Sequence, residues 1–212
     1  MMRQTRLQAL ESALAAYRPE WHPPLPGRTN HIAAGILVPI LVRDEPVVVL
    51  TERPPTMRQH AGEICFPGGR PDAADADLEA TARREAEEEI GLVDARVVGR
   101  LSSIPLLTSE HRLEPFVALA ADVPLRPNPE EVRRIVLFEL EELVARPHVD
   151  AIAWSNQGRE DLSPVFETGG RLLFGATAYV LYELLVVTAP AFGREPPPRR
   201  PGRYAWSDVL AR

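Results

Sequence analysis

Residues 66–92 constrain the chain most: Phe66-Pro67-Gly68-Gly69 turns into an acidic run that closes Arg84-Glu85-Ala86-Glu87-Glu88-Glu89-Ile90-Gly91. Leu78, Ala82, Ala86 and Ile90 recur every four residues, a spacing that predicts a helix with a narrow apolar seam. Glu85, Glu88 and Glu89 stand at i, i+3 and i+4 and so project from one side of it. Like charges at these spacings cost a helix roughly 0.2–0.5 kcal/mol per pair, so the clustering makes chemical sense chiefly around a cation. Oxygen-only ligands favour Mg2+ or Mn2+ over zinc, and Mg2+ commonly binds substrate phosphates as well. The small Ala82 and Ala86 predict close approach to a sheet. Gly91 predicts the left-handed position past the helix end, and Pro67-Gly68-Gly69 a sharp turn that brings backbone carbonyls near a bound ion. Taken alone, the Arg/Glu run also reads as an ordinary solvated helix face.

Arg53, Arg58 and His60 lie between the apolar run 47–51 and the glycine turn. Arginine's planar fork matches phosphate oxygens and its charge is permanent, so Arg53 and Arg58 are read as substrate clamps; surface pairing to Glu52 or Glu63 is the alternative. His60 fits either a phosphate contact or a loop cap. The chain contains no lysine, so all 24 of its strong cations are arginine and a Schiff-base mechanism is excluded. A net charge of −6 argues against non-specific nucleic-acid binding. The single cysteine, Cys65, excludes an internal disulfide and is read as a small core residue rather than a reactive thiol.

Three segments are expected: an N-terminal helix and Pro-rich connector over 1–29, one domain over 30–192 and a Pro/Arg-rich tail over 193–212. Leu7, Leu10, Leu14 and Tyr17 predict an amphipathic helix ending before Pro19. Strands are predicted over 31–42, 47–51, 96–104, 115–119 and 132–138, with a short helix over 139–146 and a strongly apolar one from Ala176. Residues 105–114 read as a polar loop and 147–170 as irregular structure. The tail over 194–203 is expected to lack fixed structure on its own, with Trp206, Val209 and Leu210 docking back or meeting a partner. No apolar run approaching about 18 residues is read, and no signal-like core follows Met1, so no membrane partner and a cytoplasmic location are expected.

The run Arg84-Glu85-x-x-Glu88-Glu89-x-Gly91, preceded by Gly68-Gly69, resembles the signature of the Nudix hydrolases. The spacing from Gly69 to Arg84 is one residue longer than in the general signature, and Asp75 replaces its glutamate. Both features, with Leu50-Thr51-x-Arg53, Arg58-x-x-x-Gly62-x-x-x-Phe66-Pro67-Gly68-Gly69 and the Asp72-x-x-Asp75 pair, resemble the coenzyme A pyrophosphatase subgroup. Pro54 and Glu139 depart from its usual residues. Phe174-Gly175-Ala176-Thr177-Ala178 resembles the family's entry to its last helix.

The resemblance implies an α+β fold, the Nudix α/β/α sandwich around a central mixed β-sheet. It implies metal-dependent hydrolysis of the pyrophosphate of coenzyme A or an acyl derivative, giving adenosine 3',5'-bisphosphate and a 4'-phosphopantetheine. Glu85, Glu88 and Glu89 with the Gly69 carbonyl would hold Mg2+ or Mn2+, and Arg84 would orient the cluster by pairing with Glu88. Glu131 is the expected fourth carboxylate, and it or one of the others takes the proton from water. Another nucleoside diphosphate derivative (ADP-ribose, NADH), a nucleoside triphosphate, or a nucleotide-sensing domain without hydrolysis stay open alternatives, as does a homodimer.

Overall fold

The computed structural model describes residues 2–57, 60–156 and 159–210. The long apolar run of the first half forms β1 (Ile32–Val42), which is buried along nearly its whole length because both its faces are covered. Asp44-Glu45-Pro46 turns it into β2 (Val47–Glu52), paired antiparallel. The chain then passes through two short strands, β3 (Ile64–Cys65) and β4 (Gly68–Gly69), before α2 (Leu78–Ile90). Helix α1 (Met2–Ala16) precedes them all. After α2 come β5 (Ala95–Arg100), β6 (Ile104–Pro105) and β7 (His111–Ala121), the last running parallel to β1 along all of it. Strand β8 (Arg134–Glu139) returns to pair with β2. The described strands of this first sheet run β3-β2-β1-β7-β5, with β8 on β2, β4 on β1 and β6 on β7.

Alternation along β1 and β2 sorts two cores. Leu37, Leu41 and Val49 meet Ala82, Ala86 and Ile90 of α2 on one face, whereas Ile36, Val38, Ile40, Val48 and Leu50 face the other helices. Helix α2 lies so close to the sheet that a Cβ on Gly35 would collide with the Leu78 carbonyl. The second core gathers Leu10 and Leu14 of α1, Leu140, Leu143 and Val144 of α3 (Leu140–Ala145), and α4 (Gly175–Thr188). Helices on both faces of a mixed sheet make the expected α+β sandwich.

Three segments differ from the reading of the sequence. Residues expected to be irregular form a hairpin, β9 (Val149–Asn156) and β10 (Arg159–Thr168), continued by β11 (Arg171–Leu173). Phe166 of this second sheet is fully buried against Phe138, ring centroids 6.4 Å apart. The tail expected to lack structure supplies β12 (Arg199–Pro201), parallel to β9, and α5 (Trp206–Leu210), whose Val209 packs on Ile152 and Val165. Leu210 stays exposed. The segment Gly175–Phe192, α4 and a 3-10 turn, is 18 residues long and apolar enough to cross a membrane, which the sequence reading missed. Here Val180, Leu181, Leu184 and Leu185 are buried inside the protein, and Glu183 takes hydrogen bonds from Tyr17 and Ser102.

Candidate active site

The Asp77 carboxylate opens α2 by accepting from the Ala80 amide at 2.8 Å, and Gly91 closes it in the left-handed conformation (φ 68°), donating to the carbonyls of Ala86 and Glu87. This fixes which way the acidic turn points. Glu85 and Glu89, one turn apart, look toward the Gly68-Gly69 turn, which lies beside them because β4 pairs with Gly35 and Ile36 of β1. The Gly68 amide donates to Glu89 Oε1 at 3.4 Å, and a Cβ on Gly69 would collide with the Glu85 carboxylate.

The third carboxylate arrives from the loop between β7 and β8. That loop is fastened to the end of α2: the Arg126 amide donates to the Ile90 carbonyl (2.8 Å) and the Asn128 amide to the Glu89 carbonyl (2.9 Å). The amides of Glu131 and Val132 then donate to the Asn128 carbonyl, and buried Val132 seals the turn against the α2 core. As a result, oxygens of Glu85, Glu89 and Glu131 all lie within 4.8 Å of one another. Glu88, expected on the same face, is half-exposed and pairs with Arg84 at 2.9 Å, outside this trio. Residues three and four ahead of Glu85 lie to opposite sides of it, about 100° apart, so Glu89 turns toward the glycine turn while Glu88 turns toward solvent and Arg84.

Burial pushes the Glu89 carboxyl up to about 7; the Gly68 amide and Arg53 oppose this, and the neighbouring Glu85 and Glu131 add to it. Glu85 is also raised, by burial first, with Arg84 opposing. A half-buried knot of like charges, made only of oxygen donors and walled by a glycine, fits a hard divalent cation. Arg84 pairs with Glu85 of the trio and with Glu88, and it is anchored from outside as well, donating to Asp75 (3.1 Å) and to the Arg70 carbonyl (3.2 Å). Asp75 also accepts from the Asp72 amide and the Thr81 hydroxyl, and these bonds hold its carboxyl down at about 2, with Arg84 the largest contributor. The expected i to i+4 contact of Arg84 with Glu88 is thus present, inside a larger clamp that the sequence reading did not include.

Arg53 leaves the end of β2 with its amide bonded to the Glu63 carbonyl (2.9 Å), and its Nε is buried without a partner among the described residues. Arg58 lies outside the described residues. His60 is exposed, holds a positive φ of 57° and has Nδ1 2.9 Å from Glu63, so its ring caps the loop. Its charge, with that of Arg70, reaches His111 at the start of β7, where burial is the chief cause of a lowered ring pKa. Both Glu110 and His111 fall in the segment expected to be a polar loop, yet β7 already begins at His111. Glu110 accepts from the amides of Thr29 and Asn30 and from the Thr29 hydroxyl, tying the connector to β7. Cys65, expected as a core residue, is only partly buried, in β3 with its Sγ 3.4 Å from the Thr51 hydroxyl, and desolvation pushes its thiol up.

The mixed sheet with its carboxylate-lined helix and glycine turn defines a class of fold, and comparison with known proteins gives that class its name. A NUDIX domain model matches residues 29–155. A protein of Photorhabdus laumondii named as an uncharacterized Nudix hydrolase NudL is 34% identical over 168 residues, covering 76% of this chain and 89% of its own. A NudL of Yersinia pestis is 34% identical over 159 residues, 74% of this chain and 79% of that one. The fold is similar to that of a MutT/nudix family protein from Enterococcus faecalis, with a TM-score of 0.51 at 16% identity over 86% of this chain and 67% of the other. The chain belongs to the Nudix family and is a Nudix hydrolase.

Proposed function

We propose that the enzyme hydrolyses the diphosphate of coenzyme A or its acyl derivatives, releasing adenosine 3',5'-bisphosphate and a 4'-phosphopantetheine. The observation that carries the proposal is Arg53. It belongs to the Leu50-Thr51-x-Arg53 motif that resembles the coenzyme A subgroup, and its charge bears on Glu89 while its Nε has no partner among the described residues. An unpaired guanidinium nitrogen beside a seat for cations suits one more phosphate oxygen.

In this reading Glu85, Glu89 and Glu131, with the Gly69 carbonyl, hold Mg2+ or Mn2+. These residues would hold an ion that, when bound, would supply neutralisation of phosphoryl-oxygen charge and a lowered pKa of bound water. Arg53 and Arg58 orient the diphosphate, and His60 borders the same loop. Arg84 keeps its bonds to Asp75, leaving Glu88 free to exchange partners and serve as an outer carboxylate. Glu131, exposed on its loop, takes the proton from the attacking water. A small-molecule nucleotide is the only substrate this asks for, and the cytoplasm is its proposed setting.

Mass spectrometry of products from a panel of coenzyme A, NADH, ADP-ribose and dGTP with Mn2+ tests the proposal. Adenosine 3',5'-bisphosphate formed from coenzyme A, faster than products from the rest, is the expected result. Preferential cleavage of another member, or binding without product over hours, overturns it.

A further inference from the structure

Across the first sheet from the carboxylate trio lies a second charged group that the mechanism does not use. Glu52, the last residue of β2, is buried, its side chain 1% exposed, and faces three arginines. Arg133 donates to its Oε1 at 2.8 Å, Arg134 bonds Oε2 from directly across the β2–β8 ladder, and Arg171 of β11 stands 3.6 Å from Oε1. Burial alone would raise the Glu52 carboxyl, and the arginines reverse that and hold it below the usual carboxylate range.

One buried carboxylate needs one good partner, and a bidentate arrangement already satisfies both oxygens. Arg133 and Arg134 do that. Arg171 is surplus: its guanidinium stands 3.6 Å from Oε1, beyond hydrogen-bond distance, and its Nη1 would stand 3.2 Å from a Cβ on Gly62. Nη1 and Nη2 of Arg134 lie against Gly169, each 3.2 Å from where a Cβ there would be. Both positions over the cluster are thus glycines, and the arginine heads keep 31–50% of their side-chain surface exposed. Three guanidinium groups against one carboxylate leave a net charge of about +2 with donors open, which matches a phosphate monoester dianion.

The cluster is joined to the trio by short stretches of chain on two sides. Glu52 adjoins Arg53, whose charge reaches Glu89, and Arg133 is two residues from Glu131. The turn bearing Gly62 lies on the path from Arg53 to the Gly68-Gly69 turn.

We infer that Arg133, Arg134 and Arg171, braced on Glu52, form a subsite for a second phosphate of the substrate, a phosphomonoester on the nucleoside separate from the scissile diphosphate. The inference rests on the proposed coenzyme A reading, in which the ribose carries such a group at its 3' position. It makes the enzyme prefer a 3'-phosphorylated substrate and hold the bisphosphate product more firmly than AMP.

The test compares kcat/KM for coenzyme A and 3'-dephospho-coenzyme A in the wild type, Arg171→Gln and Arg133→Gln. Calorimetric binding of adenosine 3',5'-bisphosphate and of AMP accompanies it, with thermal melting to confirm folding. Each variant leaves Glu52 two arginine partners. The wild type is expected to favour the 3'-phosphorylated member of each pair by about tenfold or more, and that ratio is expected to fall about tenfold in Arg171→Gln, the scale of one charge-assisted contact. Equal rates and equal binding for both members in the wild type would overturn the subsite while leaving the coenzyme A reading intact. Failure to cleave either coenzyme would overturn that reading instead, and a persisting preference for the bisphosphate over AMP, lost in Arg171→Gln, would still support the subsite. A ratio unchanged in both folded variants would also overturn it.

Discussion

Glu89 concentrates the site's chemistry in one side chain. It is buried, flanked by Glu85 and Glu131, and touched by the Gly68 amide. Replacing it with the isosteric glutamine removes a ligand oxygen's charge and one of three crowded like charges. Glu89→Gln is therefore expected to lower turnover about a hundredfold or more and, in metal-free buffer, to melt no lower than wild type. Steady-state kinetics with Mn2+ and circular-dichroism melts check both; near-wild-type turnover would contradict the role. Asp75 and Glu110 make a prediction about acid. Both carboxyls are held at about 2 in the fold, below their ordinary values of 3.8 and 4.5. A depressed pKa adds stability that is fully present above those ordinary values and is lost as pH falls toward 2. Asp75→Asn is thus expected to flatten the drop in melting temperature between about pH 4.5 and 2; an unaltered slope would show that the Arg84 clamp adds nothing to stability. Of these residues the acidic positions on α2 were legible from spacing alone. Glu131 was expected only through the family resemblance, because its place depends on a loop fastened to the helix end through the Arg126 and Asn128 amides, contacts between backbone atoms that no residue spacing announces.

At the scale of elements, α2 and its partners β1 and β2 follow from patterning, since a four-residue apolar repeat suits a helix and short continuous apolar runs bounded by a turn suit buried strands. The hairpin β9–β10 escaped because its strands mix polar and apolar residues, Asp150, Ser155 and Asp161 among them, and its core contact is made by distant Phe138 on Phe166. The Pro/Arg composition of the tail likewise hid β12, which gains order by pairing with β9 rather than from any propensity of its own. Two outcomes follow. Phe166→Ala is expected to cost about 3–5 kcal/mol in urea unfolding, and a loss under about 1 kcal/mol would show the second sheet to be loosely attached. A chain truncated after Gly193 is expected to expose Ile152 and Val165, so that limited proteolysis cuts within β9–β10 sooner than in the full chain; equal cleavage rates would contradict the bracing role of β12 and α5.

The whole molecule is a scaffold that holds two charged groups of opposite sign a short distance apart in the chain: the trio against α2, and the arginines about Glu52 on the opposite face of β2. Sheet alternation separates them, because Glu52 and Arg53 point to different faces. The sequence marked the acidic half through the family signature, while the basic half needed the register of β2 with β8 and the fold of the second sheet to assemble. The central claim is that the carboxylate trio seats a divalent ion, and calorimetric titration of Mn2+ into wild type and Glu89→Gln measures it directly. The account predicts saturable binding by the wild type that weakens at least about tenfold in the variant. Equal affinity in the two proteins would contradict it.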